Sequence, residues 1–146
     1  MFLRHAVLAA AFLACPAFAE APPVTYEVAG TFEDVAFAVE DAIISAGLVV
    51  DHVSHTGEML ERTRADVGSD KVIFTAADIF SFCSAKISRQ VMEADLTNVQ
   101  FCPYNIFVFE TPEKPGLITV GHRAYGGTMA PVNDLLTGIV KDALGD

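Results

Sequence analysis

The chain has 146 residues, 19 of them acidic and 9 basic, for a formal net charge of −10, and 52% of its residues are hydrophobic. No cluster of Lys or Arg occurs anywhere, so nucleic acid and anionic lipid surfaces, which both demand positive charge, are excluded as partners. A cationic partner is permitted, although acidity of this kind mainly serves solubility.

Met1 to Arg4 gives a short basic start, Ala6 to Ala14 an unbroken apolar run, and Ala17-Phe18-Ala19 the small-x-small pattern of signal peptidase. These predict a cleaved export signal over 1–19, with the cut before Glu20. The apolar run falls short of the roughly 20 residues that a permanent membrane anchor needs. A lipoprotein acylated at Cys15 fits poorly, because Phe12 stands where Leu is usual and Pro16 follows directly. Cleavage would leave residues 20–146 as one periplasmic or secreted domain of 127 residues (146 less 19), long enough to bury a core without staples. It would have no membrane contact.

The predicted elements alternate along the chain. Val24 to Val28 reads as a strand, and Thr31 caps a helix carrying Phe32, Val35, Val39 and Ile43 that stops at Gly47. Leu48 to Val53 is a second strand. Thr56 to Ala65 is a weaker helix with Met59 and Leu60 inward and Gly68 as its stop. Lys71 to Phe82 reads as one long strand, or as two broken by Ala76-Ala77-Asp78. A helix from Ser84 to Asp95 follows, with Ile87, Val91 and Ala94 on one side. Asn105 to Glu110 and Leu117 to His122 form a hairpin across Thr111 to Gly116. Val132, Leu135, Leu136, Ile139, Val140 and Ala143 mark a final amphipathic helix closed by Gly145. Five strands and four helices in one linker-free stretch of about 127 residues predict a two-layer α+β domain, its mostly antiparallel sheet backed by helices.

The run from Thr31 to His122 resembles the Domain of Unknown Function 302 family. The likeness rests on the helix after the first strand, on Gly57-Glu58-Met59-Leu60, on the Phe82-Cys83 that opens the third helix, and on Pro103, Ile106, Val108 and Glu110 in a Pro-x-x-Ile-x-Val-x-Glu pattern. It implies a small α+β domain that pairs as a homodimer, with no established reaction. Two departures stand out. Cys83-Ser84-Ala85 occupies the place of a frequent Cys-Asn-Pro. Tyr104 stands where the family often has a cysteine, while Cys102 lies just before the proline instead.

Cys83 and Cys102 are the only cysteines beyond the leader. In an oxidising compartment they can form a structural disulfide, hold a metal or cofactor together, or remain buried thiols. The outcome depends on Leu96 to Gln100. Five residues span at most about 18 Å, close to the rise of the preceding twelve-residue helix. If that segment climbs back, the next strand is antiparallel and both cysteines share one end of the sheet. Cys102-Pro103-Tyr104 is similar to the glutaredoxin active site, but strand-like Ile106 to Phe109 follows it, without the helix that such chemistry needs.

His52 and His55, three apart on a strand, should face opposite sides, one buried and one exposed. His122 should end the hairpin strand at the sheet edge, either facing a ligand or solvated. With Cys83 and Cys102 it forms a candidate metal set, and Tyr104 and His122 are candidate ligand-binding residues. Met59, Met92 and Met129 could join a soft-metal site but read more simply as packing. No haem-attachment, Cys-x-x-Cys, zinc-helix, nucleophile-elbow or phosphate-loop motif occurs, and no cofactor is named by any pattern. Three expectations follow. The first is an exported binding or accessory module whose cysteine end holds a soft metal, haem, sulfur species or other small ligand. The second is a disulfide-stabilised domain that holds a partner protein. The third, and weakest, is a thiol enzyme acting through Cys83.

Overall fold

The computed structural model describes residues 21–146. The expected leader, its cleavage site and Cys15 lie outside the described residues. β1 (Val24–Ala29), α1 (Phe32–Ser45), β2 (Val50–Ser54), α2 (Thr56–Thr63), β3 (Ala76–Phe82), α3 (Ala85–Ala94), β4 (Tyr104–Glu110), β5 (Leu117–His122) and α4 (Ala130–Leu144) follow in chain order. The five strands form one sheet in the order β1-β5-β4-β3-β2, with every neighbouring pair antiparallel. This is the expected α+β architecture. Among the described residues no helix is long and apolar enough to cross a membrane.

The side-chain period of two sorts the sheet into faces. Ile106 and Val108 on β4, Ile118 and Val120 on β5, and Phe80 and Phe82 on β3 point into the core and are buried. Against them α1 lays Val35, Val39 and Ile43, and α4 lays Val132, Leu136, Ile139 and Val140. Full burial of one such side chain contributes about 1.5–3 kcal/mol, so these facing stripes decide where both helices sit. α1 starts where it does because extended Thr31 accepts a hydrogen bond from the Asp34 amide at 3.2 Å. α4 ends at Gly145, whose φ of +78° suits a residue without a Cβ.

Four local expectations need correction. The segment 71–75 is not strand: β4 ends at Glu110, so the last rung is the Thr75 amide bonded to the Glu110 carbonyl at 2.9 Å. Ala76-Ala77-Asp78 begins β3 rather than breaking it. Met59 is 42% exposed and Ala94 is also exposed, because α2 and α3 are covered along narrower stripes, at Gly57 and Val91. β2 starts two residues later than expected and has a register shift between Val50 and His52.

The connection that sequence left open is closed. Leu96–Phe101 is a 3-10 turn, capped by Asp95 accepting from the Thr97 amide at 2.9 Å, and it carries the chain back beside the start of α3. β4 therefore runs antiparallel to β3 with Phe82 opposite Tyr104.

Candidate functional site

The Phe82–Tyr104 register puts Cys83 and Cys102 at one end of the sheet. They form a disulfide with a Cα–Cα distance of 6.3 Å, inside the range such a bond requires. Of the three fates open to the pair, the structure has the bond. Two sulfurs bonded to each other present no thiolate, so in this state Cys83 is neither a nucleophile nor a metal ligand. Ser84 caps α3 immediately beyond it, accepting from the Ile87 amide at 3.3 Å.

His122 does not complete a metal set with the cysteines. β5 is an interior strand, and the imidazole is fully buried rather than solvated at a sheet edge. Nδ1 lies 2.8 Å from the Arg123 carbonyl, which can only accept, so Nδ1 carries the proton. The neutral ring then accepts at Nε2 from the Thr137 hydroxyl at 3.2 Å. Burial pushes its pKa below the ordinary histidine value, against the raising effect of the Arg123 carbonyl. Both nitrogens are occupied. Among the described residues no group of three or more His, Cys, Asp or Glu is arranged to hold a metal.

Tyr104 is likewise interior, fully buried with its hydroxyl 3.0 Å from Ser88 Oγ. Tyr125 stands edge-on to it and to Phe101, with centroids 6.5 and 5.5 Å away, and the Arg123 guanidinium lies 5.4 Å from the Phe101 ring centre. Tyr104 and His122 thus serve the core of the disulfide end. The methionines are dispersed: Met59 on α2 at the other end of the sheet, Met92 packed at the core margin, Met129 buried.

That other end, about 20 Å along β3 from the disulfide, has the larger opening. A cleft of about 770 Å³ lies between α2, the segment before β3 and the start of α1. Its apolar walls are Phe32, Val72, Phe74 and Pro112, and its polar groups are His55, Asp78, Glu33, Glu58, Glu61 and Thr75. Gly57 forms part of the lining and is buried against Ala77 of β3. Phe74 is held in place by Phe109, with ring centroids 5.3 Å apart.

His55 precedes α2 and directs Nδ1 onto Asp78 Oδ1 at 2.8 Å. The hydrogen bond to Asp78, then its charge, raise the His55 pKa above its ordinary value against an opposing desolvation, with the charge of Glu58 adding least. Nε2 has no hydrogen-bond partner among the described residues. The expectation of one buried and one exposed histidine fails, since both His52 and His55 are exposed. His52 lies on β2 opposite Ser81, whereas His55 has left the strand. Sequence reasoning missed the His55–Asp78 pair. A signal was present: at a period of two Asp78 shares the face of inward-pointing Phe80 and Phe82, and a carboxylate at such a position needs a partner.

A family model described as "Domain of unknown function DUF302" matches residues 24–143. The fold is similar to the crystal structure of the uncharacterized conserved protein DUF302 from Bacillus stearothermophilus, with a TM-score of 0.59 and 17% identity over 84% of this chain and 88% of that one. No curated protein matches. As that family model spans residues 24–143, the chain belongs to the DUF302 family.

Proposed function

We infer that this protein is an exported binding or accessory module in which the cysteine pair is a staple and the small-ligand site is the cleft beside His55 and Asp78. One observation carries the reading. The sulfurs are consumed in a bond at one end of the sheet, while a cleft of about 770 Å³, within the usual range for small-ligand sites, opens at the other. Apolar walls with a few convergent polar groups are the general pattern of such sites. Export rests on the leader pattern of Met1 to Ala19 and agrees with a bonded cysteine pair.

Amide NMR with a mixed set of small amines, alcohols and acids tests the location. Shifts centred on Gly57, Thr75 and Ala77 are expected. Shifts confined to Cys83, Cys102 and Tyr104 would return the site to the cysteine end and defeat the reading. Alkylation and intact mass supply the companion result: two cysteines modified only after reduction.

A second reading, a partner-holding domain or homodimer, draws support from the sheet face away from the core. Alternation puts Phe107 and Phe109 of β4 and Ile79 of β3 on that face, within a polar margin of Thr25, Glu27, Asn105 and Ser81. Sedimentation at rising concentration tests it, and Phe107→Lys should dissociate any dimer built there.

A further inference from the structure

Resting on the cleft reading above, we propose that the ligand is a small organic cation, an alkylammonium or quaternary ammonium group carried on a compact apolar body. Three observations converge. Glu33, Glu58, Glu61 and Asp78 line the cleft, and no Lys or Arg lines it. A second hollow of about 350 Å³ on the other side of His55 adds Glu40 and again contains no Lys or Arg. Aromatic Phe32 and Phe74 line the cleft beside these carboxylates, and an aromatic face attracts a cation through its quadrupole. An anionic ligand would meet Glu33 and Glu58 in addition to Asp78 and Glu61, the two that are paired with His55 and Arg64, which argues against that class.

His55 tunes the site. It faces Asp78 from β3, Glu58 and Glu61 from α2, and Glu33 and Glu40 from α1. Glu61 is partly neutralised by Arg64 at 3.0 Å. When protonated, His55 cancels one of these negative charges; when neutral, it leaves the full anionic field. Cation affinity therefore rises with pH through the titration of His55, which Asp78 holds above its ordinary value. A unit charge about 5 Å from the ligand in water-like surroundings changes affinity roughly fourfold.

The test uses the full chain, with choline and its uncharged carbon analogue 3,3-dimethylbutan-1-ol, followed by amide NMR at pH 6 and pH 9. Choline carries a permanent charge, so any pH dependence belongs to the protein. Choline should shift the amides of Gly57, Thr75 and Ala77, and bind about sixteenfold more tightly than the carbon analogue, as two such charges would produce. Its affinity should rise roughly fourfold between the two pH values. Glu58→Gln should weaken it by a similar factor, and His55→Gln should abolish the pH dependence. Equal binding of choline and the carbon analogue at these amides overturns the cation assignment and leaves the cleft standing. No shift from choline overturns the assignment as well, and the mixed-ligand screen then reports separately on the cleft.

Discussion

Gly57 approaches Ala77 so closely that a Cβ on the glycine would lie 2.6 Å from the Ala77 backbone nitrogen and 3.2 Å from the Ala76 carbonyl carbon. These atoms belong to a strand backbone and cannot swing aside. α2 is seated by this contact, and the cleft is shaped by where α2 sits. Gly57→Ala should therefore destabilise the fold by about 1–3 kcal/mol, seen as a lower urea midpoint. It should also alter amide shifts around Thr75 and Asp78. An unchanged midpoint would show that α2 is held by something else.

The disulfide joins residues 19 apart in sequence. Closing a loop of that length stabilises the native state by about 3 kcal/mol in the chain-entropy treatment. The Cys83→Ala/Cys102→Ala double variant should lose that amount in urea unfolding, and a reductant should then have no effect on it. The wild type should lose a similar amount on reduction. The amides of Gly57 and Ala77 should stay in place, since the staple lies at the opposite end of β3.

Tyr104 and Ser88 give an asymmetric pair. Ser88→Ala leaves the buried Tyr104 hydroxyl without its partner at 3.0 Å, at a cost of about 1–3 kcal/mol. Tyr104→Phe removes the hydroxyl itself and should cost about 0.5–1.5 kcal/mol. Combined, the two should cost less than their sum. Thermal or urea unfolding of all four proteins measures the coupling, and strict additivity would mean that the hydrogen bond contributes nothing.

The two paired histidines bias stability in opposite directions with pH. His122 has a depressed native pKa because it is buried. Its contribution is present above the unfolded value near 6.5 and is lost as pH falls through that value toward the native pKa. His55 has a raised pKa through Asp78. Its contribution is present below the unfolded value and is lost as pH rises through the native one. The His55 side chain is exposed, so its effect on stability should be the smaller. Imidazole NMR titration should show His122 neutral, protonated at Nδ1, at a pH where His55 is already charged. The reverse order of titration would contradict the hydrogen bonds assigned to both rings.

Much of the fold is legible in single stretches of sequence because helices and strands each impose a local period. Phe32, Val35, Val39 and Ile43 recur at helical spacing, as do the apolar residues of α4, and both stripes became core. Capping at Thr31 could be placed for the same reason, since a cap bonds within three residues of itself. Lys71 to Phe74 misled because β-forming residues make a strand only where a neighbouring strand offers backbone partners, and β4 has ended.

The chain by itself determined the α+β class and a cysteine pair whose bonding hinged on one short connection. Tertiary structure decided that Leu96–Phe101 turns back, which brought Cys83 to Cys102 and buried Tyr104, and that β1 pairs with β5, which puts His122 on an interior strand. It also decided the pairing of His55 with Asp78, 23 residues apart. Local patterns set which face a side chain takes. Contacts between distant residues are set by strand register and by the path of connections, through which the core is buried as a whole.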